Sequence, residues 1–263
     1  MTESAPVQGL SLTFQNVQKS FGPATKIGAE QLSIEAGSLT VLLGRSGCGK
    51  TTLLNLAAGL VQPDAGQVLH DGIALTGPAQ QSAFIFQHNN LFPWMTAQDN
   101  ISFALENQGV QKHEAQRRAR ELLEQVGLGK LHDRLPAQLS GGMRQRVALA
   151  RSTALKPRLM MLDEPFSALD TQTRRLMQQY LLEAWRLTNA TVLMVTHDLT
   201  EALMLGSRIV LMASRPSSHI AEIIDIDMPY PRDPDHPVFR DLHKRLDRFL
   251  EHEMLAAEGT PVA

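Results

Sequence analysis

Cysteine is almost absent: Cys48 is the only one in 263 residues. No intrachain disulfide framework can form from it, and a lone thiol fits a reducing compartment. Long hydrophobic runs are missing too. The longest uninterrupted apolar stretch, residues 209–213, has five residues, against the roughly 18 or more that a membrane-spanning helix needs. The chain is therefore expected not to cross a bilayer. Residues 1–10 hold no basic side chain and no apolar core segment, so no signal peptide is expected. Neither sign of charge is in excess: 25 Lys and Arg stand against 27 Asp and Glu, a formal net charge of −2. Nothing in that balance advertises a nucleic-acid binder, which would carry a strong basic patch. Repeats and low-complexity tracts are also lacking.

What is present reads as a globular α/β protein of one large domain or two small ones. Hydrophobic residues make up 43% and charged residues 20%, an ordinary balance for a soluble protein. A chain this long buries roughly 70–75% of its unfolded surface, which excludes disorder as the main state. Short apolar runs alternate with helical patterns, as in βαβ units. Residues 159–162, 192–195 and 209–212 are continuous apolar runs, and 39–43 is one broken only by Thr40, the pattern of strands buried on both faces. Leu10, Leu12 and Phe14 alternate with polar residues as in a half-buried strand, and Asp71-Gly72 supplies the turn of a hairpin over 67–75. Helices are expected at 50–58, 112–126, 141–154 and 170–187, with Gly127 as a C-cap and Ser140 as an N-cap. The stretch 88–156 is mostly helical and interrupts the strand rhythm. Beyond Arg215, five of the 14 prolines fall within 22 residues and mark an irregular connection. It leads to an amphipathic helix with Val238, Leu242, Leu246, Phe249 and Leu250 on one face.

The strongest chemical signal is Gly44-Arg-Ser-Gly-Cys-Gly-Lys-Thr51, which matches G-x-x-x-x-G-K-[ST] between an expected strand and an expected helix. Glycines there let backbone N–H groups cradle a phosphate chain, and the helix N-terminus adds a positive field. Gly44, Arg45, Ser46, Gly47, Cys48, Gly49, Lys50, Thr51 and Thr52 form the candidate phosphate site. Lys50 would neutralise β/γ-phosphate charge and Thr51 would offer its hydroxyl to Mg²⁺. Cys48 reads as a small, inert loop residue. A second signal is the apolar run 159–162 ending in Asp163 and Glu164. A buried strand that delivers two carboxylates to its C-terminal end suits metal and water handling at a sheet edge. Asp163 would hold Mg²⁺ through water, and Glu164 would orient and polarise the attacking water of phosphoryl transfer.

Over roughly residues 10–215 the chain resembles the ATPase subunit of an ABC transporter. The most specific element is Leu139-Ser-Gly-Gly-Met-Arg-Gln-Arg146, which is similar to the family signature except at Met143, usually glutamine. Physically, Ser140, Gly141 and Gly142 form a second anion-binding helix start without a lysine of its own. The resemblance implies a P-loop NTPase (RecA-like) core with an ABC β-subdomain and an inserted α-helical subdomain. It places the nucleotide-binding core at 1–87 and 157–215, the helical subdomain with the signature at 88–156, and a Pro-rich connection with a C-terminal helix at 216–263. It also implies that Ser140, Gly141 and Gly142 complete the nucleotide site of a second subunit, so that two chains pair head to tail around two ATP molecules. Gln87 resembles the Q-loop glutamine that contacts Mg²⁺. Ser167-Ala-Leu-Asp170 resembles the D-loop at the dimer contact. His197 resembles the switch histidine that reaches the γ-phosphate. Phe21 stands where an aromatic stacks on adenine.

The segments Asn90-Leu-Phe-Pro-Trp94, Gln98-Asp-Asn100 and Met143 resemble the nitrate, sulfonate and taurine importer group. Residues 215–223 do too, with a lean toward nitrate. The implied activity is ATP hydrolysis that drives uptake of a small anion through separate transmembrane permease subunits, fed by a substrate-binding protein. Phe92 and Trp94 would lie where the permease docks. The implied location is peripheral, on the cytoplasmic face of the inner membrane. Two alternatives share the catalytic motifs: the ATPase of an exporter or lipid-handling complex, and a soluble non-transport ABC ATPase. Members of the latter class bring long coiled coils, zinc modules or two ATPase units, none of which this sequence contains.

Overall fold

Apolar runs bounded by glycine and capping residues become strands, and the periodic segments between them become helices. The computed structural model describes residues 8–21, 26–86, 90–214 and 217–257. In chain order come β1 (Leu12–Ser20), β2 (Lys26–Ile34), β3 (Leu39–Gly44), α1 (Lys50–Ala57), β4 (Ala65–His70) and β5 (Ile73–Ala74). Next are β6 (Ser82–Ile85), α2 (Ala97–Asn107), α3 (Lys112–Gln125), α4 (Gly141–Ala154), β7 (Leu159–Asp163) and α5 (Thr171–Thr188). β8 (Thr191–Thr196), α6 (Leu199–Leu205), β9 (Arg208–Ala213), β10 (His219–Asp225) and α7 (Pro237–Ala257) come last. Two compact units result. One comprises Leu10–Gln80 with Thr191–Ala263, the other Gln81–Ala190 with the N-terminal segment to Gly9.

The first unit holds two sets of strands. An antiparallel sheet runs β2-β1-β4-β5. β9, β3 and β8 lie parallel with β3 between the other two, and β10 pairs antiparallel on β9. β3 and β8 are buried along their whole length, as suits strands whose centres are continuous apolar runs at 41–43 and 192–195. The Gly28 amide donates to Ser218 O at 2.9 Å, tying β2 to the segment before β10. The expected hairpin is present: Asp71 and Gly72 have φ of 49° and 78°, the double positive φ of a type I′ turn. The β1 strand runs further than its alternation suggests. Its register shifts between Gln15 and Gln18, beside Asn16 at φ 49°, and such a bulge breaks the period of two that sequence reading depends on.

The second unit pairs β6 with β7 in parallel and carries α2 to α5. Ser140 caps α4 by accepting from the Met143 amide at 3.2 Å, and the helix spans Gly141–Ala154 as expected. Asp170 proves to be the N-cap of α5, accepting from Gln172 N at 3.1 Å and Thr173 N at 3.0 Å. Gly127, at φ 70°, follows the C-cap Val126 of α3, the left-handed position that glycine favours.

Two expectations need correction. The proline-marked connection is not wholly irregular, because β10 forms inside it. A register shift between Ile220 and Glu222 scrambles its alternation. In α7 the buried stripe passes through Phe239 and Leu246, while Val238 is exposed. Residue 238 lies about 100° round the helix from 239 but close to 242 and 249, so spacing leaves it at the edge of the stripe and packing decides that it stays exposed. Among the described residues no helix is long and apolar enough to cross a membrane.

Candidate functional site

β3 delivers Gly44 to the start of the phosphate loop. A side chain there has no room: a Cβ would meet Met212 O at 2.6 Å and Cys48 Sγ at 2.8 Å. Gly47 and Gly49 take φ of 84° and 95°, turning the chain into the left-handed region and on into α1. No side chain caps α1, and its first turn holds no acidic residue. The positive end of the helix is thus left for an anion. Lys50 is 5% exposed, and its ammonium donates to Gly44 O at 2.7 Å and Arg45 O at 2.8 Å. Burial pushes the Cys48 thiol up, which keeps it protonated and poorly nucleophilic.

β8 runs parallel to β3 with Leu43 opposite Thr196. His197 therefore leaves β8 beside the point where Gly44 leaves β3, and it is exposed. Its turn is braced from beneath. Thr196 Oγ1 donates to Glu201 Oε2 at 2.8 Å, the Asp198 amide donates to Thr196 Oγ1 at 3.1 Å, and the Glu201 amide donates to Asp198 Oδ1 at 3.0 Å.

Two features of this unit escaped sequence reading. Arg45 Nη1 donates to Glu253 O at 3.2 Å, and the Glu253 carboxylate accepts from the Ser214 amide at 3.0 Å. The end of α7 thus touches the phosphate loop. Arg232, also buried, donates to Leu203 O and Gly206 O at 2.5 and 2.6 Å, and Tyr230 OH donates to Leu205 O at 2.5 Å. Together they close the last turn of α6, the helix that follows His197. No local signal announces either contact, because the partners lie 25 or more residues apart.

In the other unit, β7 ends at Asp163, which is 6% exposed. Glu164 follows at φ 47°, a conformation rare for a residue with a side chain. Its carbonyl accepts from Ser167 Oγ at 3.0 Å and Gln145 Nε2 at 3.1 Å. The start of α4 rests on Ala168 and Leu169. A Cβ on Gly142 would meet Leu169 Cδ2 at 3.0 Å and Ala168 O at 3.1 Å. Gly141 and Gly142 are brought against Ala168 and Leu169 in this way. Hydrogen bonds from the Thr173 and Gln172 amides hold the Asp170 carboxyl below the usual carboxylate range. Gln87 lies outside the described residues. Phe21, at the end of β1, is 51% exposed.

Asn100 explains the loop before α2. Fully buried, it accepts from Phe92 N at 2.8 Å and donates to the carbonyls of Phe92, Met95 and Thr96 at 3.0–3.2 Å. The knot presents Trp94, 72% exposed, with its ring 5.6 Å from that of Phe92. Phe103 packs edge-on to Phe92 and Arg151 lies 5.9 Å above it. Phe92, Phe103 and Arg151 line a groove of about 760 Å³.

Comparisons with known proteins show which proteins the chain is similar to. A family profile described as ABC transporter matches residues 29–167. A taurine import ATP-binding protein of Mesorhizobium japonicum is 49% identical over 74% of the chain and 76% of its own length. A bicarbonate transport ATP-binding protein of Synechococcus elongatus is 40% identical over 93% of the chain, which spans only 38% of that relative. Among solved structures, a dimeric ATP-binding cassette in a post-hydrolysis state with ADP and Pi is similar at a TM-score of 0.73. It is 29% identical, over 83% of this chain and 100% of that one.

Proposed function

The chain belongs to the ABC transporter family, as an ATP-binding subunit with ATPase chemistry, and from that premise we propose that it energises uptake of a small anion through a separate membrane permease. The observation that carries this reading is the likeness, over most of the chain, to proteins named for taurine import and bicarbonate transport. A sulfonate and an oxyanion belong to one substrate class, and nitrate falls within it.

In this proposal Lys50 and the amides of the glycine loop hold the triphosphate, Phe21 stacks on the base, and His197 reaches the γ-phosphate. Glu164 orients and polarises the attacking water, its carboxylate stabilising the positive charge that develops on it. Gln87 keeps its expected role as a contact to Mg²⁺. The donors fit that ion: the Thr51 hydroxyl is a hard oxygen ligand and the Asp163 carboxylate holds the ion through water, as suits Mg²⁺, which keeps several waters beside substrate phosphates. When bound, Mg²⁺ neutralises charge on the phosphate oxygens. Ser140, Gly141 and Gly142 act on the nucleotide of a second copy in a head-to-tail homodimer, a reading supported by the dimeric cassette among the structural relatives. The aromatic groove beside Trp94 seats the permease, which places the chain on the cytoplasmic face of the membrane, and a substrate-binding protein feeds the permease from outside.

The test is reconstitution of the chain with the permease that co-purifies with it, in vesicles with ATP on the side of this chain. Labelled taurine, bicarbonate or nitrate is expected to move toward the ATP side, and to stop moving with Lys50→Ala. Movement only in the opposite sense overturns import in favour of export.

A further inference from the structure

Gln145 lies one turn into α4 and is 2% exposed. A buried carboxamide must satisfy both its ends, and this one does so on a single loop. Nε2 donates to Glu164 O at 3.1 Å, and Oε1 accepts from the Ala168 amide at 3.2 Å. A donor and an acceptor side by side are what that loop requires. A carboxylate would set oxygen against the Glu164 carbonyl, and an apolar side chain would leave that contact and the Ala168 amide unmet. The loop it grips is a demanding one. Glu164 sits at φ 47°, and strained conformations persist only where their surroundings hold them. Close approach of Gly142 to Ala168 O and Leu169 sets the same two segments against each other from the helix start.

We propose that Gln145 is a positioning residue: it fixes the backbone from which the Glu164 carboxylate projects, and so ties the orientation of that carboxylate to the position of α4. The inference rests on the reading of Glu164 given above. It adds that the two ends of this carboxamide join different duties of the chain. α4 begins with Ser140, Gly141 and Gly142, directed at a second copy's nucleotide in that reading, whereas Glu164 acts on the chain's own. Movement of α4 on meeting the second copy is then passed to Glu164 through Gln145.

The experiment compares Gln145→Met, Gln145→Glu and Glu164→Gln with the parent, after thermal melts establish that each variant is folded. The expected result for Gln145→Met is a kcat at least tenfold lower with KM for ATP within twofold of the parent. Hydrogen exchange over residues 164–169 should speed up at the same time. Gln145→Glu keeps an acceptor for Ala168 and loses the donor to Glu164, so it is expected to lower kcat as well and to serve if the methionine variant does not fold. In single-turnover hydrolysis, Gln145→Met combined with Glu164→Gln should be no slower than Glu164→Gln alone, because one acts through the other. A parent-like kcat in both Gln145 variants overturns the inference while Glu164 keeps its role. So do losses that multiply in the double variant, or a rise in KM equal to the fall in kcat. A parent-like rate in Glu164→Gln overturns the role of Glu164 itself, and the inference with it.

Discussion

Lys50 is held in the phosphate loop by the carbonyls of Gly44 and Arg45. Carbonyl dipoles carry partial charges, so they hold the ammonium without cancelling its field, and low exposure strengthens that field toward an anion. Lys50→Ala is expected to abolish ATP binding in a calorimetric titration while the protein stays folded, since glycines and helix start are unchanged. Binding within tenfold of the parent would remove Lys50 from the site. This residue was legible in the sequence because its partners lie five and six positions away. Gln145 was not. It stands inside a motif singled out for its serine and glycines, but its own partners lie 19 and 23 positions onward, across a strand and a turn.

At the scale of elements, α6 is a seven-residue helix, too short to persist without tertiary support. Asp198 secures its start, while Arg232 and Tyr230 secure its end through the carbonyls of Leu203, Leu205 and Gly206. Arg232→Met keeps much of the stem volume but leaves Leu203 O and Gly206 O without that donor. Each buried acceptor stranded costs about 1–3 kcal/mol, so a loss of at least about 2 kcal/mol is expected from urea unfolding. A variant as stable as the parent would show that the contacts are replaceable.

On α3, hydrogen bonds from Arg117 and then Arg118 lower the Glu114 pKa from 4.5 to about 2. A carboxylate depressed on folding stabilises the protein above its unfolded pKa, and that contribution fades as pH falls toward the folded value. Glu114→Gln should therefore melt below the parent at pH 7, with the gap narrowing as pH drops below about 4.5. A gap that is constant down to pH 3 would mean that charge is not its source.

For the whole molecule, the question is assembly. If Glu164 polarises the attacking water, Glu164→Gln removes the charge and keeps the shape. Hydrolysis should slow by at least about a hundredfold, the lower end of a positioned base's contribution, while Lys50 and Thr51 go on binding ATP. In the proposed head-to-tail dimer two copies enclose ATP, and if they close before hydrolysis and open only after it, the variant should sediment as a dimer with ATP and Mg²⁺ and as a monomer with ADP. An inactive variant that stays monomeric with ATP would count against the head-to-tail dimer, and one that turns over at the parent rate would remove Glu164 from the chemistry.

By itself the sequence determined what depends on neighbours along the chain. The glycine loop, the buried runs that became β3, β7, β8 and β9, the Asp71-Gly72 turn and the Ser140 cap rest on backbone geometry within a few residues, where residue type alone narrows the choice. Bulges were the first point of failure: at Asn16 and between Ile220 and Glu222 one extra residue reverses the alternation and hides β1's length and β10 altogether. Tertiary structure alone decided the rest. It chose Phe239 over Val238 for the buried face of α7, bound Arg232 to the end of α6, set Glu253 against Arg45, and joined Gln145 to residues 164 and 168. The physical reason is common to all four. Hydrophobic pattern states which face is buried, but a buried side chain's partner is whatever the fold brings within about 3 Å of a donor or within contact of a ring, and that is a property of space rather than of order along the chain.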